Sequence, residues 1–301
     1  MRALIIYNSF SGKNKITKKI DYINKRLKEK YNVIDVYESK YKNDIKNHIL
    51  VYANNYNVII IAGGDGSLNE AINGLVLLKS KPVLGYIPMG TCNDLGHSLG
   101  LKKKLAKTLD IILEEEYVYI NVNKLNSDYF IYGMAAGNFT DVSYKTKQEH
   151  KKRIGILAYF LYAFKSLFIN RSFTCNLNID GVNIKRDCYC LILVNSRYLA
   201  SFNLKFKNKL LNNGLNIILI NKKNKVINFI DLIMFFLFGE QYKHNVEYFN
   251  SSNVSISCED GLSFNIDGEE VPLLKNAKIS VISNDIKIIV NKKIKEKYFN
   301  N

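Results

Sequence analysis

The chain has 301 residues, 47% hydrophobic, with only 3 prolines, which excludes a disordered polypeptide and allows a large core, more readily as two domains than as one. Its 43 basic and 27 acidic residues leave a net charge of +16, suited to an anionic partner: a nucleotide, a nucleic acid or a membrane surface. Many surface lysines in an Asn-, Ile- and Lys-rich chain contribute to that charge, so it does not choose among the three.

Met1 to Tyr7 forms a short strand-like run before a polar loop, without the charged and apolar regions of a secretory leader. With five cysteines, at 92, 175, 188, 190 and 258, the expected setting is a reducing cytosol. Cys188-Tyr189-Cys190 has no second cysteine pair, and strand alternation points both thiols to one face, a core feature and not a zinc site. The apolar runs at 154–164 and 232–239 fall short of the roughly 20 residues a spanning helix needs. The expected protein is not integral to a membrane but can lie against one.

In chain order, Ala3 to Tyr7 reads as a strand, followed by the loop Asn8-Ser9-Phe10-Ser11-Gly12-Lys13-Asn14. Ile16, Ile20, Ile23 and Leu27 recur at helical spacing. Val33 to Tyr37 is a second strand, and Ile45, Ile49 and Ala53 mark a second helix. Val58 to Ala62 is a buried strand leading into Gly63-Gly64-Asp65-Gly66, then a helix with Leu68, Ile72 and Leu75 inward. Val83 to Ile87 is a fourth strand, ended by Pro88-Met89-Gly90. This β-α alternation predicts a parallel sheet, with ligands beyond the carboxyl ends of its strands.

After about residue 120 the rhythm changes. Tyr129 to Met134, Phe173 to Ile179, Cys188 to Val194, Leu215 to Ile220, Val254 to Cys258 and Ser263 to Ile266 read as strands, with turns at Asp180-Gly181 and Asp267-Gly268. Helical inserts fall at about 152–169 and 226–238. The expected division is an α/β domain, 1–122 with about 286–301, and a mainly antiparallel β-sandwich domain, 123–285.

Three loops of the first part carry the chemistry. Gly63 to Glu70 is the most informative, since a glycine elbow between strand and helix turns backbone N–H groups outward, the geometry that holds phosphate. A carboxylate there, Asp65, makes sense beside polyphosphate mainly with Mg²⁺ between them; the plain alternative is a helix cap. Asn8, Ser11, Gly12 and Lys13 form a small polar loop without Walker spacing, equally readable as a turn with a surface lysine. In Gly90-Thr91-Cys92-Asn93-Asp94-Leu95, Thr91 or Asn93 can cap the next helix, while Asp94 adds a metal or hydroxyl ligand. Asp267-Gly268-Glu269-Glu270 is either a hairpin turn or a carboxylate presented to a substrate hydroxyl.

The ordered set resembles the bacterial soluble diacylglycerol kinases and related lipid kinases. It comprises Asn8…Ser11-Gly12-Lys13, Gly63 to Glu70, Pro88 to Leu95, Gly133 to Phe139, the Lys151-Lys152-Arg153 helix and Asp267-Gly268-Glu269. The resemblance implies an ATP-binding α/β domain of the diacylglycerol kinase and NAD kinase type, a β-rich lipid-substrate domain, and a cleft between them for ATP, Mg²⁺ and a lipid hydroxyl. It implies Asp267 as general base with Glu269 supporting it, and Asp65 as organiser of Mg²⁺ and phosphate, with Asp94 in the same metal network. It implies a nucleotide-binding set of Asn8, Ser11, Gly12, Lys13, Gly63, Gly64, Gly66, Ser67, Asn69, Glu70, Gly90, Thr91, Asn93 and Asp94.

The chain departs from the family's pattern at several places. Ser9 stands where proline is common, Ser67 where threonine is usual, and His97 where arginine is common. Asn195 to Phe202 replaces a glycine-rich stretch, and Asn212-Asn213 replaces an acidic pair, which predicts a missing or weak structural Mg²⁺ at that turn. Lys151 to Leu167, basic then apolar, is one candidate contact with an anionic phospholipid surface, and Phe229, Phe235, Phe236 and Phe238 offer a second. Burial over the β domain is the alternative for both. The expected function is ATP-dependent phosphorylation of a lipid hydroxyl, most plausibly diacylglycerol to phosphatidate, at the inner face of the cell membrane. Alternatives are a kinase for NAD or another soluble alcohol, and a non-catalytic nucleotide- or lipid-binding regulator. A homodimer is compatible, and no nucleic-acid partner is expected.

Overall fold

The computed structural model describes residues 1–9, 16–102, 104–137, 172–199, 202–206, 214–267 and 269–299, without the side chains of Phe202, Glu269, Glu270 and Pro272. Ser11, Gly12 and Lys13, the 152–169 insert, Asn138, Phe139 and Asn212-Asn213 lie outside the described residues. The chain divides into two compact units, Met1–Val122 with Ser283–Asn301, and Asn123–Ile282.

The first unit alternates β1 (Arg2–Asn8), α1 (Ile20–Leu27), β2 (Val33–Ser39), α2 (Asp44–Tyr52), β3 (Val58–Gly63), α3 (Asp65–Leu75), β4 (Val83–Pro88), α4 (Asp94–Ser98) and α5 (Leu105–Glu114). β5 (Tyr117–Leu125) then carries the chain into the second unit. That unit holds β6 (Asp128–Phe130), β7 (Gly133–Gly137), β8 (Phe173–Ile179), β9 (Val182–Val194), β10 (Tyr198–Leu199), β11 (Phe202–Asn203) and β12 (Leu215–Asn221). It continues with α6 (Lys225–Phe238), β13 (Val246–Ser251), β14 (Asn253–Ile266) and most of β15 (Glu269–Ile289). The end of β15 and α7 (Lys292–Tyr298) belong to the first unit.

In the first unit the helical spacing has a clear physical outcome. Ile16, Ile23 and Leu27, Ile45 and Ile49, and Leu68, Ile72 and Leu75 are all buried. They cover a sheet whose middle strands, Ala3 to Ile6 and Val58 to Ala62, are inaccessible to solvent. Each such isoleucine or leucine contributes on the order of 1.5–3 kcal/mol of burial. β2, β1, β3 and β4 pair in parallel, and β15 joins β4 in parallel at Ile288 and Leu84.

The expected fold, a parallel N-terminal sheet plus a β-sandwich, is corrected on both counts. β5 lies along β15 in the opposite direction, since Glu116 O accepts from Val290 N–H and Asn121 Oδ1 from Asn284 N–H (3.0 Å), so the first unit's sheet is mixed. In the second unit β7 pairs with β9, β9 with β8, β8 with β14 and β14 with β7, all antiparallel, which closes a four-stranded barrel. β12, β13 and β15 add further antiparallel strands to it. Closure is possible because β9 and β14 are long and change partners midway. The first half of β14 pairs with β8 and its last residues with β7, across an irregularity at 257–262 where Gly261 has φ +74°. Alternation in a sequence reports which face is buried. It does not report strand direction or a change of partner.

One core lies inside the barrel, and a second lies between β9, β12 and α6. β9 serves both: Leu191 and Leu193 face the first, Cys190 and Ile192 the second. Cys188 and Cys190 were expected on one face, yet Cys188 is in the barrel core and Cys190 in the other. A register shift opposite Cys188–Cys190, between Ile220 and Asn221, accounts for the reversal. Burial pushes the Cys190 thiol up to about 12, and no group of three metal-ligating side chains occurs among the described residues. No helix among them is long and apolar enough to cross a membrane.

Candidate active site

β1, β3 and β4 are neighbours in parallel register, so Asn8, Gly63 and Pro88 end on one edge of the sheet. Gly64, in extended conformation, turns the chain into α3, whose first residue is Asp65. The helix start has no side-chain cap at Gly64, and such a start carries backbone N–H donors and a positive dipole end. Asp65 reaches across to the second loop: its Oδ2 accepts the backbone N–H of Asn93 at 2.7 Å, tying the two glycine loops together. Asn93 adopts a left-handed conformation (φ +53°). Its carboxamide folds back on Gly90, accepting from Gly90 N–H and donating to Gly90 O, both at 2.8 Å. It therefore locks its own loop and leaves α4 without a side-chain cap.

The loops meet backbone to backbone. A Cβ on Gly90 would lie 2.7 Å from Gly64 Cα and 2.8 Å from Asn93 Oδ1, closer than real Cβ contacts. Gly66 is the opposite case, because a Cβ there would meet nothing within 4 Å and its φ is not positive. Among the described residues neither packing nor backbone strain calls for glycine at 66. Thr91 is exposed, while Asp94 and Ser67 are buried.

Other expected members of the nucleotide set have protein partners. Asn8 Nδ2 donates to Ser67 Oγ at 3.4 Å, joining the β1 end to α3. Asn69 Oδ1 accepts from Asn73 Nδ2 at 2.6 Å. Glu70 accepts the Ile45 N–H at 3.3 Å, fastening α3 to the start of α2. Tyr86, in the middle of β4, escaped sequence reasoning. Its signal was a hydroxyl-bearing residue in an otherwise apolar buried strand, where the O–H requires a partner. That partner set is Gly63 O at 3.2 Å and Asn93 Oδ1 at 3.1 Å.

In the second unit, Asp267 occupies a left-handed turn position (φ +48°) and is buried. Its Oδ2 accepts from Ile131 N–H (2.7 Å), and its Oδ1 accepts from Tyr132 N–H (3.1 Å) and Gly133 N–H (3.0 Å). Its own N–H donates to Gly133 O at 2.9 Å. The side chain thus clamps residues 131–133 as well as turning the hairpin. Asp180, in the matching Asp-Gly turn, accepts the Ser251 hydroxyl at 2.7 Å. Asn195 packs beside this cluster with its N–H on Tyr132 O (2.9 Å), and its buried Nδ2 has no acceptor among the described residues. Of Glu269 only the backbone is described, paired opposite Ile266.

The residues present fit a nucleoside triphosphate with Mg²⁺. The open space at Gly66 admits a phosphate against the α3 N-terminus, and Asp65 and Asp94 flank the same loops. Two carboxylates, with phosphate oxygens and water completing the shell, match how Mg²⁺ is commonly held beside nucleotides.

The diacylglycerol kinase catalytic domain family matches residues 2–125. A diacylglycerol kinase from Staphylococcus aureus (strain bovine RF122 / ET3-1) is 31% identical over 270 residues, 89% of this chain and 86% of that protein. The fold is similar to that of a diacylglycerol kinase from Bacillus anthracis str. Sterne, with TM-score 0.77 at 19% identity over 97% of this chain and 98% of that one. It is also similar, at TM-score 0.55 and 16% identity over 99% and 97%, to an NAD kinase from Archaeoglobus fulgidus in complex with ATP. A match at this identity across nearly nine-tenths of both proteins, with the glycine loops intact, is decisive: the chain belongs to the bacterial soluble diacylglycerol kinase and lipid kinase family, an ATP-binding phosphotransferase group related in fold to the NAD kinases.

Proposed function

We propose that the chain transfers the γ-phosphoryl group of ATP to a lipid hydroxyl, diacylglycerol being the leading acceptor and phosphatidate the product. The observation that carries this reading is Gly66: a glycine in the first turn of a helix, which no contact among the described residues requires, beside two locked loops. A helix start with open space in front of its first turn is the shape a phosphate requires.

In this reading the acceptor oxygen bonds to the γ-phosphorus, the bond from that phosphorus to the ADP oxygen breaks, and the acceptor proton passes to a carboxylate. The N–H groups at 65–67 bind and align the phosphates, and Asp65 and Asp94 would hold Mg²⁺. When bound, that ion neutralises charge on the phosphate oxygens. Asp267 takes the proton, supported by Glu269. The three backbone donors on Asp267 give it a structural duty besides, so its test must separate a lost base from a lost clamp.

Contact with a lipid surface has support from α6. Its inward face carries Asn228, Asp231, Leu232 and Phe235, whereas Val226, Ile230, Leu237 and Phe238 are exposed. Exposed Lys222, Lys223 and Lys225 stand at its start, and Lys205 Nζ lies 5.9 Å from the Phe238 ring centre at its end. Apolar residues outward with lysines at both ends suit an anionic bilayer. Phe235 and Phe236, expected on that surface, instead pack against the second core.

The test is incubation with γ-labelled ATP, Mg²⁺ and mixed micelles of candidate lipids, with NAD in a parallel reaction. Label in phosphatidate supports the proposal. Label in NAD alone, or in no acceptor while ATP binds, refutes it in favour of a soluble-acceptor kinase or a regulator.

A further inference from the structure

We propose that Tyr86 is a positioning residue for the nucleotide site, its phenol setting the spacing of the Gly63–Ser67 and Gly90–Asp94 loops so that both address one phosphate chain. This rests on the reading of those loops as a phosphate site.

Tyr86 is wholly buried on β4. Its hydroxyl donates toward Gly63 O at 3.2 Å and Asn93 Oδ1 at 3.1 Å, one acceptor from each loop. Both are carbonyl oxygens that cannot donate, so a single proton serves two loops and the phenol must stay protonated. Burial, with the Asp65 and Asp94 carboxylates and the Cys92 thiol nearby, pushes its pKa well above the ordinary value. Each acceptor already holds one backbone donor: Gly63 O takes Met89 N–H at 2.7 Å, and Asn93 Oδ1 takes Gly90 N–H at 2.8 Å. The phenol fills a remaining lone pair on each. Its ring is wedged against α4, where a Cβ on Gly96 would come within 3.1 Å of Tyr86 Cε1.

The lever is Asn93. This one residue contacts Tyr86 and Gly90 through its side-chain carboxamide and Asp65 through its backbone N–H. The Gly64–Gly90 contact leaves no room for a side chain at 90, so the two loops meet backbone to backbone. The phenol opposes separation of the loops and rotation of the Asn93 carboxamide. Phenylalanine keeps the ring and its packing and removes only this restraint.

The experiment compares wild type and Tyr86→Phe by steady-state kinetics with Mg-ATP and acceptor varied separately, by thermal melting, and by hydrogen–deuterium exchange of residues 88–95 without ligand. The expected result is a KM for Mg-ATP raised about 3- to 10-fold, the range for one lost buried hydrogen bond. The acceptor KM stays unchanged, and exchange at 88–95 becomes faster. A lower melting temperature with both KM values and the exchange unchanged overturns the proposal, as does no change at all. If wild type binds Mg-ATP but Tyr86→Phe behaves identically, only the role of Tyr86 falls. If wild type binds no Mg-ATP, the nucleotide reading falls and takes Tyr86 with it.

Discussion

Alanine is the better helix former than glycine by roughly 1 kcal/mol, and at position 66 the described residues leave room for it. The expected consequence is an unusual pairing. Gly66→Ala should raise the melting temperature by about 2 °C while weakening Mg-ATP binding at least tenfold, by melting and calorimetry respectively. Asp267→Asn behaves differently. An amide there places an NH₂ group against one of the backbone donors at 131–133, where both carboxylate oxygens now accept. The variant should lose about 2–3 kcal/mol of stability, seen in denaturant unfolding. If Asp267 is also the base, kcat per folded molecule should fall by about 10²-fold or more. Unchanged stability would contradict the clamp, and unchanged kcat per folded molecule the base. The glycine elbow was legible because an acid among three glycines after an apolar strand has few explanations. The clamp role of Asp267 was not, because Asp180-Gly181 and Asp267-Gly268 are the same turn dipeptide, and the acids after Asp267 do not show the backbone donors around it. Tyr86 was hidden for a related reason: in an apolar run its ring reads as core, and its hydroxyl partners come from loops 23 and 7 residues away.

Strands β1 to β4 and helices α1 to α3 of the first unit could be placed from spacing, since Ile23, Leu27, Ile45, Ile49, Leu68, Ile72 and Leu75 are buried, although Ile20 is half-buried and α5 and β5 were not foreseen. α6 breaks that rule. Asn228 satisfies the turn before the helix through Lys223, at 2.9 Å to its N–H and 3.2 Å to its carbonyl. Asp231 accepts from Tyr242 O–H (2.5 Å) and Asn245 Nδ2 (2.8 Å) and meets His244 Nδ1 (3.0 Å). Polar residues therefore fasten the inner face, and apolar ones are left outside. Ile230→Glu and Leu237→Glu should leave thermal stability nearly unchanged, because both side chains are exposed. They should lower sedimentation with anionic vesicles several-fold. Equal sedimentation of variant and wild type would remove α6 from the lipid interface. The barrel was the least legible element: its closure depends on β9 and β14 exchanging partners midway, and each half of either strand reads simply as a strand.

The whole molecule has 20 tyrosines and no tryptophan, which makes tyrosine ionisation easy to follow by ultraviolet absorbance. Burial and the Asp44 carboxylate push Tyr37 up to about 12, and burial and Asp231 do the same to Tyr242. Tyr31, Tyr86 and Tyr248 are raised as well, chiefly by burial. A raised folded-state pKa contributes stability that is complete below the unfolded value of 10.0. It is lost as pH rises toward about 12. Part of the tyrosine absorbance should therefore appear only with loss of circular dichroism above about pH 11. Titration of every tyrosine in one step near 10 with the fold intact would contradict the burial described here. The charge of +16 remains compatible with nucleotide and anionic lipid together, and the family match narrows the chemistry to phosphoryl transfer from ATP. The central claim, that the elbow at 63–67 is where ATP phosphates bind, is tested most directly by titrating Mg-ATP into wild type and Gly66→Ala and melting both. The account predicts tighter folding and weaker binding in the same variant. Equal affinity in both proteins, with or without the gain in stability, would contradict it.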